Sequence, residues 1–334
     1  MAKLAVDLIE IASHYNTEEK CLAYLEQARW PEGVRCVGSH DGVACGSDKI
    51  SKIVTKGGTR KNGRAIPVRR LYQCLECGLQ FTAKSGTLFN DSHLPLTKWF
   101  LAVALLSNAR KGMSAKQLGR DLKIKYQTAW HLSHRIREAL TGGSSLFTGT
   151  VEMDEVYVGG RYDERRARQK YDKAPVVGVL QRGTKEQPSQ VHAQHVERVH
   201  KPVISKIIND RVSFDARIFT DEAAVYRSLA EVRDHQIVVH SKDEYVRGEV
   251  HTNSIEGFWS LVKRQIIGQH HWVSVKHLQS YLNERVFMFN NRKAEDLFKL
   301  VMIALAIGAP LPYAVLTANL DVFSEEDAPQ QPES

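Results

Sequence analysis

The stretch Thr150-Val-Glu-Met-Asp-Glu-Val-Tyr-Val-Gly-Gly160 decides how the rest of the chain is read. Its β-branched and aromatic residues predict a strand and its paired glycines an end to it, yet Glu152, Asp154 and Glu155 sit inside the apolar pattern. An acid within a strand costs desolvation free energy unless its charge is compensated, and a divalent cation is a common partner. The plainer reading is a half-exposed strand with its acids in water.

Outward from this stretch, Ala216-Arg-Ile-Phe-Thr-Asp221 is a second strand-like run ending on an acid, and Glu256 opens an amphipathic helix. If the two strands are neighbours, Asp154 and Asp221 meet above the sheet. Three acids from three elements could hold two divalent ions and position a water or 3′-hydroxyl for in-line attack on a phosphodiester. Hard oxygen ligands select Mg2+ or Mn2+. The pattern around them predicts strands at 150–158, 175–181, 190–196, 216–220 and 236–240, with helices at 201–209, 223–230 and 254–266. Three hairpin-joined strands followed by alternating helices and strands predict an α/β fold, a mixed sheet with helices packed on it.

A chain of 334 residues has room for two or three domains, and 43% apolar with 25% charged residues predicts one that folds. The net charge of +8 points to a polyanionic partner. It is concentrated in Lys49–Arg70, which has eight Lys or Arg and no acid, and in Arg161–Lys173. Each is also readable as a solvated loop. No run approaches the roughly 20 apolar residues of a membrane span, and the acids in the first residues disagree with a signal peptide, so a cytoplasmic protein is expected.

Five cysteines are too few for a disulfide scaffold in a chain of this length. Cys74-Leu-Glu-Cys77-Gly78 is a C-x-x-C knuckle that can bite one tetrahedral zinc, with Cys36 and Cys45 as the upstream pair. Eight residues between Cys36 and Cys45 exceed the usual spacing. His40 could replace one cysteine, and four unrelated thiols are the alternative. Cys21 reads as a core residue of an N-terminal helical pair broken near Asn16-Thr17.

Three helices are predicted from Leu94, with Thr97 capping the first, Ser114 the second and Lys123–Tyr126 turning into the third. Gln127, Thr128, His131, Ser133, His134, Arg135 and Arg137 lie on polar faces of the third. This is the layout of a helix-turn-helix, whose second member enters the major groove, although plain packing modules share it. The predicted division is 1–90 helices and zinc ribbon, 91–145 helix-turn-helix, 146–295 catalytic domain, and 296–334 a helix and disordered tail.

Together, Trp30-Pro-Glu-Gly33, the Cys74/Cys77 knuckle, Leu94-Pro-Leu-Thr-Lys-Trp-Phe100, Val151-Glu-Met-Asp-Glu155, Thr220-Asp-Glu222, Arg247-Gly248 and Asn253-Ser-Ile-Glu256 with Lys263 resemble the DDE-type transposases of bacterial insertion sequences. The resemblance is to the ISXO-like group, with a zinc ribbon and a ribonuclease-H-like core. It implies an enzyme that binds the terminal inverted repeats of its own element, cuts and joins DNA strands with Mg2+ or Mn2+, carries structural Zn2+, and works as a homo-oligomer on DNA at the nucleoid. It assigns Asp154 and Asp221 as the first two metal ligands and Glu256 as the third, with Asn253 as the competitor and Lys263 beside DNA phosphate. Asn253 and Glu256 also fit a capping-box variant, in which Asn253 caps the helix and Glu256 bonds back. Lys263 is equally readable as a solvated lysine, and His251 and His270-His271-Trp272 as ordinary loop. A zinc-ribbon regulator that needs no carboxylates, and a nuclease that cuts without joining, are the other classes this sequence admits.

Overall fold

Asp7 and Thr17 each start a helix, which is why the N-terminal apolar pattern breaks between them. The Asp7 carboxylate accepts the Ile9 and Glu10 amides at the head of α1 (Leu8–His14), and Thr17 accepts the Lys20 amide at the head of α2 (Glu18–Arg29). The computed structural model describes residues 7–59, 61, 63, 65–66, 70–141, 143, 145–159, 173–239 and 246–318. The tail from Ser324 and the basic cluster from Arg161 to residue 172 lie outside them, as do parts of Lys49–Arg70.

Seven short strands follow: β1 (Ser39–His40), β2 (Val43–Ala44), β3 (Ile50–Val54), β4 (Gly58–Thr59), β5 (Ala65–Ile66), β6 (Arg70–Cys74) and β7 (Gln80–Phe81). β3, β6 and β7 form an antiparallel sheet with Tyr72, Phe81 and Trp30 as its small aromatic core. Next come α3 (Leu96–Asn108), α4 (Ala115–Asp121) and α5 (Tyr126–Ala139). Ser114 caps α4 as predicted. Thr97 does not cap α3, which begins one residue earlier. The Leu96 amide donates 2.8 Å to the Glu18 carboxylate of α2, so a distant acid replaces the local cap.

The second half holds β8 (Thr150–Val158), β9 (Ala174–Gln181), β10 (Gln190–His195), α6 (Lys201–Arg211), β11 (Arg217–Thr220), a 3-10 helix at Ala224–Glu231 where an α-helix was expected, and β12 (His235–Ile237). α7 (Asn253–Gln265), a π-turn at Ile266–His270, α8 (Val275–Asn290), α9 (Leu297–Ile307) and α10 (Tyr313–Thr317) complete it. The sheet runs β10-β9-β8-β11-β12, with β10, β9 and β8 antiparallel and β11 parallel to both β8 and β12. This is the predicted α/β class, a mixed sheet preceded by the cysteine-rich module and three helices.

Strand alternation sorts the two layers. Val151, Met153, Val177 and Val179 pack on α6 through Ile204, Ile207 and Ile208. Val156, Val158, Val176 and Leu180 face Ile255, Phe258, Trp259 and Val262 of α7 and Leu278 and Leu282 of α8. The C-terminal α9 joins the N-terminal core instead, burying Phe298, Val301, Met302 and Leu305 among residues of α2, α3 and α5. No described helix is long and apolar enough to cross a membrane.

α5 departs from its expected role. Ser133, His134, Arg135 and Arg137, placed on polar faces by sequence, are all buried. Arg137 pairs with Glu284 of α8 at 2.6 Å, with both side chains almost fully covered. Arg135 lies over the Trp99 ring and bonds the Asn90 carbonyl at 2.5 Å. The helix packs against α4, α8 and α9, and its exposed residues are Tyr126, Gln127 and Thr128 of the first turn and Glu138 of the last.

Candidate active site and metal centre

Two sites follow from this framework. In the cysteine-rich module, the Sγ atoms of Cys36, Cys45, Cys74 and Cys77 lie within 4.8 Å of one another. Cys36 and Cys77 are 3.5 Å apart and Cys45 and Cys74 3.8 Å. Zn–S bonds of about 2.3 Å place tetrahedral sulfurs about 3.8 Å apart, so the donor set fits zinc and His40 is not needed as a substitute. Burial pushes the Cys36 thiol up to about 12, while the Cys77 amide draws Cys74 down to about 6.

The wide upstream spacing has a structural explanation. The Cys36 amide bonds Ser47 O and the Cys74 amide bonds Leu79 O, and each second cysteine precedes a left-handed glycine, Gly46 at φ 58° and Gly78 at φ 74°. The two knuckles are therefore equivalent, except that the first carries Ser39–Ala44 as an inserted β1–β2 hairpin, turned at Asp41 and Gly42, both with positive φ.

The acidic site sits where β11 ends beside the middle of β8. The parallel register pairs Ile218 with Val151 and Phe219 with Glu152, and two residues further along stand Asp154, within β8, and Asp221, just past the end of β11. One Asp154 oxygen accepts the Glu155 amide at 2.8 Å, and the other accepts the Trp259 indole N–H at 3.0 Å. Burial, reinforced by the nearby carboxylates of Glu155, Asp221 and Glu256, raises the Asp154 carboxyl to about 7. Glu155 is also raised, by burial and then by Asp221, although the Tyr226 hydroxyl donates to it. Asp221 accepts the Ala223 amide at 3.0 Å. Glu256 and Asn253 are both exposed on the first turn of α7, and Lys263 is exposed two turns after Glu256.

The capping-box reading of Asn253 fails. The N-cap is Thr252, which is buried and donates its hydroxyl to Glu256 at 2.8 Å. The amides of Ser254 and Ile255 go to the Glu152 carboxylate, both at 2.9 Å. Of the three strand acids, Glu152 is thus the one paired with a guanidinium and the amides of α7. Among the loop residues, His251 is held by Arg182, whose guanidinium donates to its Nδ1 at 2.8 Å. His270 packs edge-on against Tyr281, and Trp272 is exposed. Sequence reasoning missed Trp259, Arg182 and Thr252. Only the position of Glu152, on the same strand face as Asp154, Val156 and Val158, could have hinted that it points at a packed helix.

Residues 147–290 match the family model described as ISXO2-like transposase domain, and residues 16–80 match a transposase zinc-ribbon domain. A curated relative, the "Uncharacterized protein in transposable element ISH50" of Halobacterium salinarum, is 30% identical over 283 residues, spanning 80% of this chain and 88% of the relative. The chain belongs to the ISXO2-like transposase family. A solved structure of a simian T-cell lymphotropic virus intasome with a PP2A regulatory subunit is similar over 54% of this chain and 64% of that chain, at 16% identity and a TM-score of 0.25, too low to carry an argument. For this transposase, membership implies a DNA-cleaving enzyme, and the zinc-ribbon match agrees with the four gathered cysteines.

Proposed function

We propose that this transposase binds the terminal inverted repeats of its element and cuts and joins DNA strands there, with Asp154, Asp221 and Glu256 as ligands of divalent ions. The observation that carries this reading is the convergence of acids on Asp154, whose carboxyl is raised by burial and by its acidic neighbours together. Carboxylates that repel one another in a partly dry site suit divalent cations as counter-charge. Bound Mg2+ or Mn2+ would supply Lewis-acid activation of the attacking oxygen and stabilise the leaving one.

Asp154 and Asp221 belong to the sheet, and each has a backbone amide fixing one oxygen. Glu256 comes from α7, where Thr252 orients it and its exposure leaves it open to a substrate strand. Lys263, on the same helix, is suited to a DNA phosphate. Base reading falls to the first turn of α5, with Gln127 and Thr128 flanked by exposed Lys123 and Lys125, because the N-terminal residues of such helices meet base edges. The basic segment from Lys49 would neutralise backbone phosphates and make binding salt-dependent. Four thiolates would hold the ribbon's Zn2+. The same reading includes a homo-oligomer on DNA, both element ends and target duplex as partners, and a cytoplasmic, nucleoid-associated location.

The decisive experiment incubates the protein with a labelled element end and a plasmid, with and without Mg2+. Joined, Mg2+-dependent products are expected. Cut but unjoined ends would make the protein a nuclease, and binding without any cleavage would make it a regulator.

A further inference from the structure

Glu152 lies two residues before Asp154 on β8 and is fully buried, with 0% of its side chain exposed. A carboxylate in that position costs desolvation free energy unless donors match it. Its Oε1 receives Arg182 Nε at 2.6 Å, and its Oε2 receives the Ser254 and Ile255 amides. The N-terminal end of a helix favours negative charge, so the α7 amides and the carboxylate stabilise each other. Arg182 extends the same cluster by donating to the Glu249 and His251 carbonyls, which fixes the segment leading into α7.

We propose that Glu152 is the positioning carboxylate of the acidic site: through Arg182 and the first amides of α7 it sets where Glu256 stands relative to Asp154. This rests on the reading of Asp154, Asp221 and Glu256 as metal ligands. Glu152 is fully buried and its charge is already met by the Arg182 guanidinium, so it is not itself a ligand, although it is the first acid of its strand. β8 and α7 are joined at two points, Glu152 on the first turn and Asp154 on Trp259 one turn later. Between them, Thr252 ties the helix cap to Glu256. The distance between first and third acids is therefore set by side-chain bonds from a single strand.

The test is Mn2+ binding followed by electron paramagnetic resonance on DNA-free protein, comparing wild type, Asp154→Ala and Glu152→Gln. Glutamine keeps an oxygen for the two amides and loses the charge opposite Arg182. Asp154→Ala should abolish the site, and Glu152→Gln should weaken Mn2+ affinity by about tenfold, the scale on which residues that orient metal ligands act, with helix content and zinc content unchanged. Equal affinity in Glu152→Gln and wild type overturns the proposal while leaving the metal site standing. A wild type that binds no Mn2+ overturns the functional reading instead. If Glu152→Gln does not fold, amide exchange in the wild type decides: protected Ser254 and Ile255 amides are expected, and exchange at unstructured rates would refute the contact.

Discussion

At the scale of single residues, the acids near β8 divide by what occupies their oxygens. Glu152 is paired with Arg182 and two amides, Glu155 takes the Tyr226 hydroxyl, and Asp154 has one amide and one indole donor. Asp154→Ala and Asp221→Ala should each abolish strand cleavage and leave DNA binding within about twofold, since neither touches the N-terminal helices; retained cleavage would remove them from the metal site. The third ligand is decided by comparing Glu256→Gln with Asn253→Ala. A capping asparagine would cost about 1 kcal/mol when truncated, but the Glu152 carboxylate takes the first amides of α7, so Asn253→Ala should leave thermal stability almost unchanged and activity reduced at most. Glu256→Gln should be inactive. The reverse pattern in a joining assay would transfer the ligand role to Asn253.

At the scale of elements, the ribbon and α5 yield opposite lessons about spacing. The first knuckle is a Cys-x-x-Cys turn with Ser39–Ala44 inserted as a hairpin. Deleting those six residues should therefore leave one zinc per chain by elemental analysis, and loss of the metal would mean the hairpin is part of the site. In α5, removing Arg137 should strand Glu284 as an unpaired buried charge. Arg137→Ala is expected to cost about 3–5 kcal/mol in denaturant unfolding, while Gln127→Ala with Thr128→Ala should cost little and erode discrimination of the terminal repeat from random duplex. Unchanged discrimination would move base reading elsewhere.

At the scale of the whole molecule, α8 joins the helical half to the sheet. It pairs Glu284 with α5, and its Gln279 and Asn290 side chains satisfy the backbone of edge strand β10 at Val191, Ala193 and His195. Around this junction, burial drives His134 down to about 2 and His270 to about 4, and along β10 His192 to about 4. Folding keeps these imidazoles neutral where the unfolded chain would protonate them. Their contribution is intact above pH 6.5 and is lost as pH falls from there toward 4. The unfolding midpoint should therefore drop between pH 7 and pH 5. His134→Phe should flatten part of that slope, because the ring keeps its packing on Trp130 and Tyr281 and neither His134 nitrogen has a hydrogen-bond partner among the described residues. A midpoint independent of pH over this range would refute the account.

The sequence by itself determined what is local. β8 spans the residues its pattern predicts, α1 and α2 break where Thr17 can cap, and the four thiols were legible from one C-x-x-C and two further cysteines. The parallel pairing that makes Asp221 level with Asp154 followed from strand order only once the sheet closed. Tertiary structure alone decided what was shared between distant segments. A polar face on α5 was read as solvent-facing because periodicity describes one helix at a time, whereas the Glu284 that buries Arg137 lies 147 residues later. Likewise, Glu152 and Asp154 are equivalent in pattern, and only the docking of α7, about 100 residues on, gives one acid the helix amides and leaves the other facing the remaining carboxylates.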